Sequence, residues 1–462
     1  MTSKALDNVV KLNGIGATVK DFGVIGNGVA DDTAAIQAAI NAAIAGKFSL
    51  YIPAGAYRIT DTLSFVNADG LMFYGDGSGF LGPTRFVCDA DMPTKPLFLF
   101  SDSRNIVLRD FSTECSATRR IKCAMQFENG TGSTVTPTTY LLENLYLYST
   151  SNATGQTDGV RFALGSGGDA NNDFGTFVNV VISNYDNAAV KIDHSQSREH
   201  RFYGCYFQSG KYAIETDGNS FFWLGGNVSE HSETDFYLLR PQQSTVIDGL
   251  SSEQSSRLLT SSASGGDGYV SISGVRFAAD LLNADGRVID YRHRGALVLS
   301  GNIFGTRTDT NLCKVRVSPL DNKGCAFISQ GNTWGGTGSL TAYPYELNLT
   351  RGDKIVIKDN YVAASTLVDV VTAFTAGDTS PSLFASDWWQ TANASATTIT
   401  QFDDAWPGKT TTIYFNDANT TIDFTNTAKL RGNNGVAFTG AAGDSMICVS
   451  DGTVHYCSII QG

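Results

Sequence analysis

The chain has 462 residues, too many for one ordinary hydrophobic core, and only 17% of them are charged. Its net charge of -12 argues against nucleic acid or an anionic membrane surface as a partner. No run of about 18 apolar residues occurs, which excludes a transmembrane helix and membrane insertion. The opening MTSKALDNVVKLNG, within a segment 1–18, lacks the apolar stretch of a secretory signal. The expectation is export by another route, or a trimmed end.

From Val19 to Ile59 the chain reads VKDFGVIGNGVADDTAAIQAAINAAIAGKFSLYIPAGAYRI. Asp31 or Asp32 can N-cap a helix, and Gly46 is placed to end it. Ile36, Ile40 and Ile44 recur every four residues and line one face. SLYIPAGAYRI then reads as two strands around a Pro-Ala-Gly turn. Further strands are expected at 70–75, 105–112, 140–149 and 176–184. The insertions ENGTGSTVTPTT and GSGGDANND between them belong in loops on one flank.

Beyond residue 200 a short word, strand then glycine then strand, repeats. Its pivots are Gly204, Gly226, Gly249, Gly274, Gly301, Gly331 and Asp359, spaced by 22, 23, 25, 27, 30 and 28 residues. Periods of that size mean stacked supersecondary units. One β-rich coil cannot bury its own apolar face, but stacked coils share a continuous one. The chain is therefore read as all-β, a parallel β-solenoid over 19–362, with the helix near 32–45 as the lid on its open end. From 363 the pattern breaks, and 363–462 reads as a separate small β domain with strands at TTIYFND, TTIDFT, GVAFTG, SMICVS and TVHYCSII.

DFGVIGNGVADDTAAIQAAI followed by YIPAGAYRI resembles the N-terminal signature of pectate-lyase-like right-handed β-helix proteins, and within them bacteriophage tailspike depolymerases. The close match covers about forty residues, and lyases, hydrolases and binding-only spikes share it. The resemblance implies a right-handed parallel β-helix, a bacterial surface polysaccharide (capsule or O-antigen) as substrate, and a homotrimer. It also implies phage tail proteins as partners, a place in the virion after assembly in the host cytoplasm, and a C-terminal module for trimerisation or sugar contact. No metal or organic cofactor is implied.

Aligned on their pivots, the coils place Gln208, Glu230 and Glu253 four residues on, in a column expected to face outward. Phe207, Ser229, Ser252, Phe277, Phe304 and Trp334 stand three residues on, in a largely aromatic column expected to face inward. Two carboxylates on neighbouring coils suit glycoside hydrolysis, and like charges so close keep one of them protonated. The competing reading is two solvated glutamates on a sheet face. Asp193 and Glu215, near one register with Asp217 beyond, are fallback carboxylates. The leading expectation is endo-glycosidic hydrolysis by Glu230 and Glu253. A lyase and a non-cleaving receptor-binding spike are the alternatives.

SREHR offers Arg198, Glu199, His200 and Arg201, and YRHRG offers Arg292, His293 and Arg294, to hold a uronate or simply to solvate turns. Tyr206, Trp223, Tyr237, Tyr291, Trp388 and Trp389 are candidates for sugar stacking, with Trp223 and Trp334 better placed as core. Gln208, Tyr206, Arg201 and Tyr237 make up the expected substrate-binding set. Asn227, Asn302, Asn332 and Asn360 follow the pivots as a structural amide ladder. GDGSG at Gly75–Gly79 lacks the Lys-Ser/Thr and helix of a phosphate loop and is set aside.

Eight scattered cysteines without a CxxC pair fit no zinc site and read mainly as buried thiols. Cys448 and Cys457 face each other across their hairpin if Gly452-Thr453 is the turn, and do not if the turn is Asp451-Gly452.

Overall fold

A computed structural model describes residues 16–462 except 117, 131–137, 151–154, 165–171, 218–219, 241–243, 263–266, 280–284, 307–313, 320–324, 336–344, 348–353, 359, 364–371, 384–386 and 404–407. Contacts divide the chain into two compact units, Met1–Ala364 and Ser365–Gly462.

Among the described residues of the first unit, 33 strands join in one system of parallel ladders, wound as a right-handed β-helix. Three faces, here sheets A, B and C, run along it. One coil shows the path. His200–Tyr203 lies in sheet A, Gly204 turns the chain, and Tyr206–Thr216 crosses from sheet B to sheet C through a bend at Ser209. The next coil repeats it with Phe221–Leu224 and Asn227–Leu238, and the third with Thr245–Asp248, Ser251–Glu253 and Leu259–Ser261. Inward residues stack on themselves. Phe65, Phe100, Phe127 and Phe162 form one run of parallel rings, and Phe177, Phe202 and Trp223 another.

The turn between sheets A and B takes a left-handed residue in every coil from Asp110, through Asn144, Asn179, Gly204, Gly225, Gly249, Gly274 and Gly301, to Gly331. Register fixes this column, because Tyr203 pairs with Leu224 and Leu224 with Asp248. The pivot of the second of these coils is therefore Gly225, not Gly226. Gly226 fits its place because a Cβ there would run into the Cys205 carbonyl oxygen. Asp359 lies outside the described residues.

The amide ladder exists but is shorter than expected. Asn302 and Asn332 are fully buried. The Asn332 Oδ1 accepts from the Asn302 backbone (3.0 Å) and side chain (2.8 Å), and Asn360 Oδ1 does the same for Asn332 at 2.9 and 3.0 Å. Asn227 is not a rung. It pairs with Tyr206 and Ser251, one residue out of that column.

Helix α1 (Thr33–Gly46) lids the N-terminal end and buries Ile36, Ala39, Ile40 and Ala43, with Ile44 only half covered. Gln37 reaches the first coil, accepting from the Ser64 amide (2.7 Å) and donating to its carbonyl (2.8 Å). It thereby occupies backbone groups that no earlier strand pairs. Asp32 stands at the N-cap, yet its carboxylate holds the Ile25 and Gly26 amides instead. The left-handed C-cap is Lys47, one residue after the expected Gly46.

The second unit begins as parallel coils, with Thr372–Ala373, Trp388–Gln390 and Thr410–Tyr414 in ladder, and ends in an antiparallel hairpin, Ser445–Ser450 with His455–Ile460. It reuses the ladder device. Gly377 donates to Asn393 Oδ1, and Asn393 donates to Asp417 Oδ2, both at 2.8 Å. The hairpin turns at Gly452-Thr453, where the Asp451 amide meets the Val454 carbonyl (3.1 Å), so Cys448 lies opposite Cys457 and the two form a disulfide. Cys88, Cys115, Cys123 and Cys205 are buried thiols. Cys313 lies outside the described residues.

Candidate active site on sheets B and C

Because side chains alternate along a strand, the outward face of sheet B carries two columns. One holds Ser112, Tyr146, Val181, Tyr206, Asn227, Ser251 and Arg276, and the other Glu114, Tyr148, Ser183, Gln208, Ser229 and Glu253. Glu253 thus stacks on Ser229, and Glu230 is not in its column. This corrects the expected pairing. The Gly225-Gly226 doublet shifts the count by one, so Val228 rather than Ser229 faces inward and is fully buried.

Glu230 stands at the bend between sheets B and C, exposed, with a left-handed φ of 61° that Ser209 and Gln254 share on neighbouring coils. Its carboxylate accepts from Gln208 Nε2 (3.1 Å) and from Ser209 Oγ. Those donors, Ser209 first, hold it below the ordinary carboxylate range. Tyr206 Oη donates to Gln208 Oε1 (2.7 Å) and lies 3.2 Å from Ser229 Oγ. On the next coil Arg276 donates to Glu253 at 3.0 Å. Tyr206, Gln208, Glu230 and Ser209 therefore form one connected surface network.

Behind it lies a buried chain that the sequence reading missed. Tyr185 Oη meets His231 Nε2 (2.5 Å), His231 Nδ1 meets Asp235 Oδ1 (2.7 Å), and Ser252 Oγ donates to Asp235 Oδ2 (2.5 Å). All four residues are buried. A neutral imidazole satisfies the whole chain, donating through Nδ1 to the carboxylate and accepting the phenol proton at Nε2. This arrangement fixes the corner from which Glu230 projects.

On sheet C, Arg161, Lys191, Glu215 and Tyr237 stack in register. Asp193 falls opposite Asp217 rather than Glu215, since Ile192 pairs with Thr216. Lys191 Nζ nevertheless joins the two carboxylates, 3.0 Å from Glu215 and 3.8 Å from Asp193. Asn187 Nδ2 bridges Glu215 (2.7 Å) to Asp158 (2.9 Å). Asp158 is buried, and desolvation raises its pKa. Tyr212 and Tyr237 lie ring to ring at 5.2 Å beside this cluster. The sequence reading did not single out Asp158. Aligning VRF, VKI, IET and FYL on sheet C exposes the charged column beside it.

The remaining candidates serve elsewhere. Arg201 pairs with Glu199 (3.0 Å) and lies over the Phe222 ring on sheet A, away from the network. His200 is buried against Phe162, where desolvation lowers its pKa to about 3. His293 is buried too, and Arg292 pairs with Asp290. Trp223, Tyr291 and Trp389 are core, whereas Trp388 is 36% exposed and lies against Tyr414. Among the described residues no cluster of His, Cys, Asp or Glu is arranged to hold a metal.

Coiling, inward stacking, helical lid and turn ladder together define a right-handed parallel β-helix protein. The model of the family described as rhamnogalacturonase A/epimerase, pectate lyase-like, matches residues 17–237. A mannuronan C5-epimerase of Azotobacter vinelandii is 65% identical over 43 residues, 9% of this chain and 4% of that protein, so the match spans a small fraction of that curated relative. The N-terminal fragment of gene product 12 of bacteriophage Phi29 matches at 13% identity, over 86% of this chain and 83% of that one, with a TM-score of 0.51. An Acinetobacter phage tailspike protein matches at 14% identity, over 98% of this chain and 82% of that one, with a TM-score of 0.47.

Proposed function

We propose that the protein is a phage tailspike that binds a bacterial capsule or O-antigen polysaccharide along sheet B and cuts it by endo-glycosidic hydrolysis. Glu230 acts as the ionised carboxylate, with Glu253 on the next coil as its catalytic partner. The carrying observation is Glu230 itself, a solvent-facing carboxylate kept ionised by two donors of the preceding coil. Glycoside hydrolysis requires two carboxyl groups, about 5–5.5 Å apart for retention or about 6.5–9.5 Å for inversion, and Glu230 and Glu253 lie on neighbouring coils, one residue out of register. Tyr206, within the network, offers a ring to a pyranose face. In this reading three chains assemble into a homotrimer joined to phage tail proteins, and the spike acts outside the cell. Residues 19–362 are its catalytic and receptor-binding domain, and 363–462 its assembly or sugar-contact domain.

A second reading has its own observation. The sheet C cluster sets Arg161 and Lys191 among Asp193, Glu215 and the Tyr212–Tyr237 pair, the residue types a lyase would use on a uronate. One assay separates the readings. The protein is incubated with purified capsular polysaccharides and O-antigen chains, and polymer size, reducing ends and ultraviolet absorbance are followed. Hydrolysis shortens the polymer without absorbance, a lyase adds the absorbance of an unsaturated end, and a non-cleaving spike leaves the size unchanged.

A further inference from the structure

The glycine-rich segment set aside as a phosphate loop has another use. Residues 76–83 fold over the outward face of sheet B and are pinned there. The Ser112 hydroxyl is bonded both to the Gly79 amide (3.0 Å) and to the Gly79 carbonyl (2.9 Å). Gly77 donates to the Asp110 carbonyl (2.8 Å), and Asp76 donates to Thr84 Oγ1 (2.9 Å). The pinned loop nevertheless holds Phe80 67% and Leu81 61% exposed. Leu81 adopts a left-handed φ of 56°, a conformation that leucine rarely takes. Two large apolar side chains held in solvent by a tethered backbone signal a binding surface.

The lane beneath says what binds there. Phe80 lies 5.3 Å from the ring of Tyr148, which packs edge-on against Tyr146. Tyr148, Ser183, Gln208, Ser229 and Glu253 follow one another in register on successive coils. The loop and Glu253 thus sit on one continuous track, and Ser229 is three coils, or about 14 Å, from Tyr148. The charges under the loop cancel locally. Arg85 pairs with Glu114 (3.1 Å), whose carboxylate also accepts from Tyr148 Oη (2.8 Å). Nothing there calls for a charged sugar.

Resting on sheet B as the cleavage lane, we propose that Phe80 and Leu81 form a distal subsite for the same polymer. They hold an uncharged pyranose by its apolar face, a few sugar units from the cleavage point. The test uses full-length protein carrying Glu230→Gln, to keep the polymer whole, on a panel of immobilised capsular polysaccharides and O-antigen chains. Adding Phe80→Ser is expected to weaken retention on the bound polymer about 10-fold, and Leu81→Asn several-fold. Thermal midpoints should not fall, since both side chains are exposed and Asn suits a left-handed backbone. Equal retention by parent and variants, or retention of the parent by no polymer, overturns the subsite. Cleavage that survives Glu230→Gln sinks the catalytic assignment, whereas the subsite stands or falls on the retention comparison.

Discussion

Gln208 Nε2 donates to Glu230 Oε2 at 3.1 Å across the gap between two coils, and its neighbour Ser209 donates to the same carboxylate. Two consecutive residues of one coil thereby set the charge state of a residue on the next. The stacking that holds the solenoid together also tunes the group assigned to chemistry.

The first prediction concerns pH. Glu230 has its pKa lowered by Ser209 first and Gln208 second. If its ionised form is required, the acidic limb of kcat/KM lies below the usual glutamate pKa of about 4.3. Removing the larger donor with Ser209→Ala should move that limb upward and leave the alkaline limb in place. Stability has the matching sign. A depressed folded pKa contributes stability above the unfolded value, and that stability is lost as pH falls through the folded one. An acidic limb unmoved by Ser209→Ala would count against Glu230 as the titrating group.

Glu230→Gln and Glu253→Gln should each slow polymer cleavage by about 10²–10⁴-fold, the usual cost of losing one acid-base or nucleophilic partner. Folding should survive, because amide and carboxylate are similar in size and Glu230 is exposed. The check is reducing-end release at fixed protein concentration, alongside thermal midpoints. Full activity in both variants, with the fold intact, moves the chemistry to Asp193 and Glu215, where Lys191 already joins the two carboxylates.

How far the fold was legible follows from one turn position. Six glycine pivots announced a solenoid because glycine is the residue most at ease with a left-handed backbone. The same position continues back through Asn179, Asn144 and Asp110, which tolerate that conformation through short polar side chains. Those coils were expected from their strands alone, because their turn positions carry no glycine. The candidate site was less legible. Its residues were visible, but the Gly225-Gly226 doublet moved Glu230 out of the column of Glu253, and a one-residue slip changes which face a side chain takes. Asp158 stayed hidden because its partner Asn187 comes from another coil, and the buried chain because Tyr185, 46 residues from His231, joins the local His231–Asp235 pair from another coil.

The amide ladder gives a stability prediction. Asn332 is buried, and its side chain meets the Asn302 backbone and side chain, the Leu299 carbonyl (3.1 Å) and Ser329 Oγ (2.9 Å). Asn332→Ala leaves buried donors and acceptors unpaired on both neighbouring coils, at about 1–3 kcal/mol for each such group. The expected loss is about 2–4 kcal/mol, read as a lower midpoint in thermal or denaturant unfolding. A change under about 0.5 kcal/mol would mean that the ladder is ornamental.

The two glycines of the doublet should respond in opposite ways. Gly225 (φ 71°) occupies the turn column, a Cβ there meets nothing within 4 Å, and Asn144 and Asn179 fill the same position in earlier coils. Gly225→Asn should therefore be nearly neutral, within about 0.5–1 kcal/mol. Gly226 (φ 95°) lies against the preceding coil, where a Cβ would strike the Cys205 carbonyl, a backbone atom fixed in a ladder that cannot swing aside. Gly226→Ala adds left-handed strain to that clash and should cost at least about 2–3 kcal/mol. Unfolding midpoints of the two variants measured side by side decide it. Equal sensitivity would mean that the pivot of this coil is Gly226 after all, and with it the register that separates Glu230 from Glu253 would fall.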